Sequence, residues 1–167
     1  MNISYRFPEI YVEGLKSNRN ICFSNGEFVL LGDKIKDVKC DKIYGLIPFE
    51  SVIEYLDLES ARSKVEMIVL KPRKDSAMAY FIKQGTSICI QEIKGKTRYL
   101  LLEEGDLIKR GDKIAYVITG KMETRNIMSL CEGRVLFIID ITWETPGKTI
   151  LVTVLERARE IAIRESA

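Results

Sequence analysis

Two short β-prone runs, Asn20 to Phe23 and Glu27 to Leu31, are separated by Ser24-Asn25-Gly26. Asn-Gly accepts positive φ at both central positions of a two-residue turn, so the pattern predicts a hairpin. Beyond it, Pro48 opens a segment in which Phe49, Val52, Ile53 and Leu56 recur at i, i+3, i+4 and i+7, the spacing of a helix with one apolar face. Lys64 to Leu70 returns to strand texture. The polar run Lys71-Pro72-Arg73-Lys74-Asp75-Ser76 then breaks the pattern and marks a domain boundary, its basic residues reading as a solvated linker rather than a phosphate site.

From Ala77 onward, short apolar runs are punctuated by glycines at 85, 95, 105, 111, 120, 133 and 147. Thr86 to Ile93, Arg98 to Leu102, Lys113 to Ile118, Arg134 to Ile139 and Thr149 to Leu155 read as strands of a small sandwich or barrel. Gly95-Lys96 and Gly111-Asp112-Lys113-Ile114 are echoed by Gly133-Arg134 and Gly147-Lys148-Thr149-Ile150, an internal pseudo-twofold. The last residues, Glu156 to Ala167, lose their glycines and have the composition of a short terminal helix. The expected organisation is a small α+β unit over residues 1–75, a β domain over 76–154 and a helix over 155–167, giving a mainly β protein.

Composition narrows the chemistry. A chain of 167 residues with 46% hydrophobic content buries a core, and 26 basic against 24 acidic residues leave no global field to gather nucleic acid. No run reaches the roughly 20 apolar residues that span a bilayer, so the expectation is a soluble cytoplasmic protein with no membrane partner. With no histidine, the chain lacks the commonest general base and zinc ligand, and every Ser-His or Cys-His nucleophile pair. The acidic residues show no calcium or magnesium loop spacing, so no metal and no catalytic residue are assigned. Cys22, Cys40, Cys89 and Cys131 form no CxxC pair and read as buried free thiols.

One segment carries a resemblance. Glu103-Glu104-Gly105-Asp106-Leu107-Ile108-Lys109-Arg110-Gly111-Asp112-Lys113-Ile114 resembles the "EGDxVKKGDxL" turn and strand of biotinyl and lipoyl carrier domains, which have the barrel-sandwich hybrid fold. Each glycine supplies the left-handed conformation of a tight turn, and each aspartate is placed to accept nearby backbone amides. The carriers' modified lysine follows the second glycine by ten positions, which falls on Lys121 in the string Thr119-Gly120-Lys121-Met122. Ile127 to Ile139 resembles the return strand "APxxGxV", with Gly133 as its glycine. The chain as a whole is similar to an uncharacterised archaeal protein family. Departures accompany the match: Gly120 replaces the Met that biotin ligases read before the lysine, Ile118 replaces the usual acidic residue, and Ser129-Leu130-Cys131-Glu132 lacks the proline. Lys121 also lies twelve positions before Gly133, one more than in the carriers, which implies either a bulge or a shifted tip that would put Met122 at the apex.

Other signals are weaker. Thr142 to Thr149, TWETPGKT, ends like a phosphate loop, but position 142 is not glycine and a strand follows where a helix is needed. Trp143 reads as packing over a barrel end; Tyr80, Tyr99 and Tyr116 read as half-buried strand residues; Met122 and Met128 flank a hairpin as a thin sign of a contact surface. The function expected is non-enzymatic: an unmodified carrier-like domain that binds a protein partner or small ligand, with no cofactor and with self-association open through strand edges. The alternative is a swinging-arm carrier with biotin or a lipoyl group on Lys121, flanked by Gly120 and Met122. An enzyme working through carboxylates, lysines or a bound metal is a third class.

Overall fold

The computed structural model describes residues 7–32, 39–72, 77–95, 97–141 and 149–165. The described residues are mainly β with one short helix among them, and the chain divides into two compact units, Met1–Thr86 with Ala158–Ala167, and Ser87–Arg157. The second is therefore an insertion in the first.

The first unit contains β1 (Glu9–Glu13), β2 (Asn20–Ser24), β3 (Glu27–Leu31), β4 (Lys42–Ile47), the small ladder β5 (Leu56–Asp57) and β6 (Arg62–Ser63), then β7 (Met67–Pro72) and β8 (Ala77–Ile82). After the insertion come β16 (Arg159–Ile161) and β17 (Ile163–Glu165). Eight of these form one sheet in the order β16-β8-β7-β1-β4-β2-β3-β17. Its two outermost strands are neighbours in sequence, joined by Ala162 alone, so the sheet is nearly closed into a barrel. The predicted β2–β3 hairpin forms, with Asn25 and Gly26 at φ 53° and 76°. Pro48 caps a 3₁₀ helix, Phe49–Tyr55, that buries Val52 and packs against β1. Tyr11, Ile21, Tyr44, Ile68, Leu70 and Ala79 form a buried cluster, against which Phe23, Phe28, Phe81, Ile161 and Ile163 pack half-buried.

The inserted unit has two sheets. One contains β10 (Thr97–Leu100), β12 (Lys113–Ile118) and β13 (Thr124–Met128) in the order β10-β12-β13. The other contains β9 (Cys89–Lys94), β11 (Leu107–Ile108), β14 (Gly133–Asp140) and β15 (Thr149–Leu155) in the order β11-β14-β15-β9. Ala115 and Val117 from the first sheet and Ile93, Val135 and Val154 from the second share one core. Strands β9, β10, β12, β14 and β15 overlap the apolar runs that predicted them, whereas β11 and β13 were not among those runs.

Three expectations are corrected. Residues 159–165 are not a helix: the strong helix propensity of Glu, Arg and Ala is overridden because β8 and β3 each present an edge that this segment pairs with. The polar run at 71–76 does not separate the units, since β7 and β8 on either side of it pair from Met67↔Ile82 to Pro72↔Ala77. Strands β1 to β4 and β7 accordingly belong to a sheet that also contains β8, β16 and β17, so the unit does not end at residue 75.

The cysteines are not free thiols. Cys22 bonds to Cys40 and Cys89 to Cys131, with Cα separations of 5.4 and 5.8 Å. In the first pair, β2 lies between β3 and β4 in the sheet, and Cys40, just before β4, meets Cys22 on β2.

Candidate functional site

The inserted unit's hairpin is built from two matching turns at its foot. Glu103-Glu104-Gly105-Asp106 and Lys109-Arg110-Gly111-Asp112 each place glycine third, at φ 96° and 92°, as a type II turn requires. Asp106 accepts the Glu103 amide at 2.9 Å and Asp112 accepts the Lys109 amide at 2.8 Å, while the return bonds run from the Asp amides to the Glu103 and Lys109 carbonyls. The roles read from the sequence for these glycines and aspartates are the roles they have.

The foot is then locked. Gln91, buried on β9, donates to the Met128 carbonyl and accepts the Leu130 amide, both at 2.9 Å. Ser129 donates to the Cys131 carbonyl at 2.6 Å, and its own amide and carbonyl bond to Asp112 and Gly111. The Cys89–Cys131 disulfide ties the same segment to β9.

Above this foot, β12 and β13 pair up to Ile118↔Thr124 and are joined by a three-residue loop, Gly120 to Met122. The Thr119 amide bonds to the Glu123 carbonyl and the Met122 amide to the Thr119 carbonyl. Lys121 is the central residue of that loop and is exposed. Met122, 83% exposed, takes the left-handed conformation at φ 62° that a three-residue hairpin loop requires of its last residue. Gly120 does not have positive φ. The β12–β13 register shifts between Lys113 and Ala115, at the foot and on the first arm, not on the second arm where the spacing implied an extra residue. The three candidate residues are thus contiguous on one exposed loop, with Lys121 and not Met122 at its centre.

The outward face of the three-stranded sheet was not legible as a feature. Tyr99 and Tyr116 are cross-strand partners with rings stacked 4.7 Å apart, and the Lys113 ammonium lies 5.6 Å from the Tyr116 ring centre. Tyr99 and Met128 are 46% and 49% exposed, and Leu101 beyond β10 is also exposed. The signal in the sequence is the alternation Ala115-Tyr116-Val117, whose two small residues face the core and so turn Tyr116 outward. Tyr80, by contrast, is fully buried in the barrel. Trp143 and Lys148 lie outside the described residues.

The barrel's polar groups make a different kind of cluster. Tyr44 donates to Glu66 at 2.7 Å beside Lys42, whose ammonium is 3.0 Å from the same carboxylate. Tyr11 donates to Glu9, which also pairs with Arg19. Burial and then the carboxylate neighbour push both tyrosine hydroxyls well above their usual range, so neither serves as a base. Burial alone would raise Glu66, but the Tyr44 and Lys42 hydrogen bonds outweigh it and hold the carboxyl below the ordinary range. These are satisfied structural pairs. Among the described residues no three acidic or cysteine side chains converge as metal ligands, and no helix is long and apolar enough to cross a membrane.

No curated protein matches the chain. A family model does, over residues 5–156, and its description is "Uncharacterized protein conserved in archaea (DUF2118)". With most of its length matched, the chain belongs to that archaeal family.

Proposed function

We propose that the protein is a non-enzymatic binding module whose contact surface is the hairpin unit, a biotinyl/lipoyl-like domain used without modification. The observation that carries this reading is the set of large side chains on the three-stranded sheet and its hairpin loop: Tyr99, exposed and stacked on the half-buried Tyr116, with Met128 exposed on β13 and Met122 exposed on the loop. Exposed aromatic and methionine side chains on a rigid platform are what protein contacts and small ligands use. The foot supplies the rigidity, through Gln91, Ser129 and a disulfide, in the place where the carriers have a proline. The sequence has no histidine and so lacks the commonest general base, which favours a binding role in this reading.

One observation favours a second reading. Lys121 is the central, exposed residue of the hairpin loop, the position from which a carrier presents its modified amine. In that reading biotin or a lipoyl group forms an amide with Lys121 and the hairpin serves as its handle.

Intact mass of protein purified from its natural source, with peptide mapping across Lys121, separates the two. An unmodified Lys121 supports the binding module. A biotinyl or lipoyl increment there overturns it and establishes the swinging-arm carrier.

A further inference from the structure

We infer that residues 159–165 form a strap whose closure of the barrel is controlled by the folding state of the inserted unit. The strap's own hold is slight. Its first half pairs with β8 through Arg159↔Phe81, Glu160↔Tyr80 and Ile161↔Ala79, and its second half with β3 through Ile163↔Phe28, Arg164↔Val29 and Glu165↔Leu30. Neither half reaches both edges. Beyond Ile161 and Ile163, which pack half-buried against the barrel cluster, the supplementary contacts are at the surface: Arg159 lies 5.0 Å from the Phe81 ring centre, and Arg164 and Glu27, each more than 60% exposed, approach to 3.4 Å. Exposed pairs of this kind contribute little to stability. A hollow of about 380 Å³ lies at the handover, lined by Phe28, Ile161, Ile163 and Arg164 among others.

What holds so short a strap in place is its tether. The inserted unit of 71 residues separates β8 from the strap in sequence, yet its first and last strands are paired, Cys89 with Val154. Folded, the insertion therefore brings the two ends of the barrel's interrupted chain together. Unfolded, it becomes a long loop, and from loop-closure entropy the local concentration of the strap at its edges falls roughly 40-fold. The exit from the unit is fixed closely: Gly133, at φ 136°, packs so tightly on the chain that a Cβ there would lie 2.7 Å from the Glu156 Cα. Gly133 in turn follows Cys131, whose disulfide to Cys89 joins that exit region to the first strand. The insertion is thus a latch, and the half-buried Phe23, Phe28 and Phe81 are the apolar surface that its release uncovers.

Native-state hydrogen exchange of the whole chain under rising low denaturant tests this without any mutation. The amides of 159–165 should open together with those of β9, β14 and β15, with the same denaturant dependence, at a denaturant concentration where β1 and β4 keep their protection. Opening of the strap together with β1 and β4 would overturn the inference, since barrel and strap would then be one cooperative unit independent of the insertion.

Two variants extend the test. Gly133→Val, or Cys89→Ser with Cys131→Ser, should speed exchange across 159–165 at least tenfold and create saturable binding of anilinonaphthalene sulfonate. Faster exchange within the insertion that leaves 159–165 at the wild-type rate would overturn it.

Discussion

The two hairpins of this protein solve the same problem with opposite residues. In the barrel, Asn25 and Gly26 take positive φ, and both are residue types that do so at small cost. In the inserted unit the loop position with positive φ is held by Met122, while its glycine, Gly120, stands two places earlier where none is needed. A bulky residue in the left-handed region costs about 1 kcal/mol relative to glycine. The first turn is spent on the fold. The second gives up some stability to place a methionine and a lysine in water at the end of a rigid ribbon, which is where a contact surface would put them.

The largest effect should come from damaging the good turn. Gly26→Val puts a β-branched residue at φ 76° and should cost the barrel about 2 kcal/mol, read as lost exchange protection in β2 and β3. A barrel that tolerates the change would mean that the turn does not select the hairpin. Next come the feet of the second hairpin. Asp106→Ala and Asp112→Ala each remove an acceptor for one backbone amide, and each should destabilise the inserted unit by about 1 kcal/mol in denaturant unfolding. Equal losses would show that the paired turns are energetically as well as geometrically equivalent.

Smaller and opposite in sign are the tip variants. Met122→Gly relieves the left-handed strain but gives the unfolded chain more freedom, for a net gain of about 0.5 kcal/mol. Gly120→Ala meets nothing within 4 Å and has no positive φ to lose, so it too should stabilise, by about 0.5 kcal/mol. The same glycine-to-larger change that breaks one hairpin should therefore improve the other. If both tip variants destabilise, the tip is not a place where stability has been given up.

Turn chemistry was the most legible part of the sequence because it is local. Asn25-Gly26, Gly105-Asp106 and Gly111-Asp112 each act within four residues, so their residue types alone disclose the geometry. The position of Lys121 came instead from the resemblance to the carriers, by counting ten residues on from Gly111. Long-range pairing was not. Nothing in the spacing of Cys22 and Cys40, or of Cys89 and Cys131, announces that strand order will bring them together. Strand β8 has the same texture as the strands after it, so its membership of the barrel could not be read from residues 77–82. The terminal segment misled because Arg, Glu and Ala favour helix in isolation, whereas Ile161 and Ile163, two apart and on one face against the barrel core, carry the strand signal.

The last contrast lies between the two matching turns, and its effect is a slope with pH rather than an offset. Their second positions differ: Arg110 is exposed, whereas Glu104 is buried, and burial pushes its carboxyl above the usual range despite the backbone amides of Glu104 and Ile138 beside it. A carboxyl whose folded pKa exceeds its unfolded value makes the folded state bind the proton more tightly. Its contribution to stability is full below the unfolded pKa and is lost as pH rises through the folded one. The inserted unit should therefore weaken as pH is raised across that window, and Glu104→Gln, neutral at every pH, should flatten the profile and stabilise the unit most on the alkaline side. Arg110→Gln, at the equivalent place in the second turn, should leave the slope as it is. Thermal unfolding from pH 4 to 8 of the three proteins decides the matter, and a wild-type slope that survives in Glu104→Gln would assign it to another group.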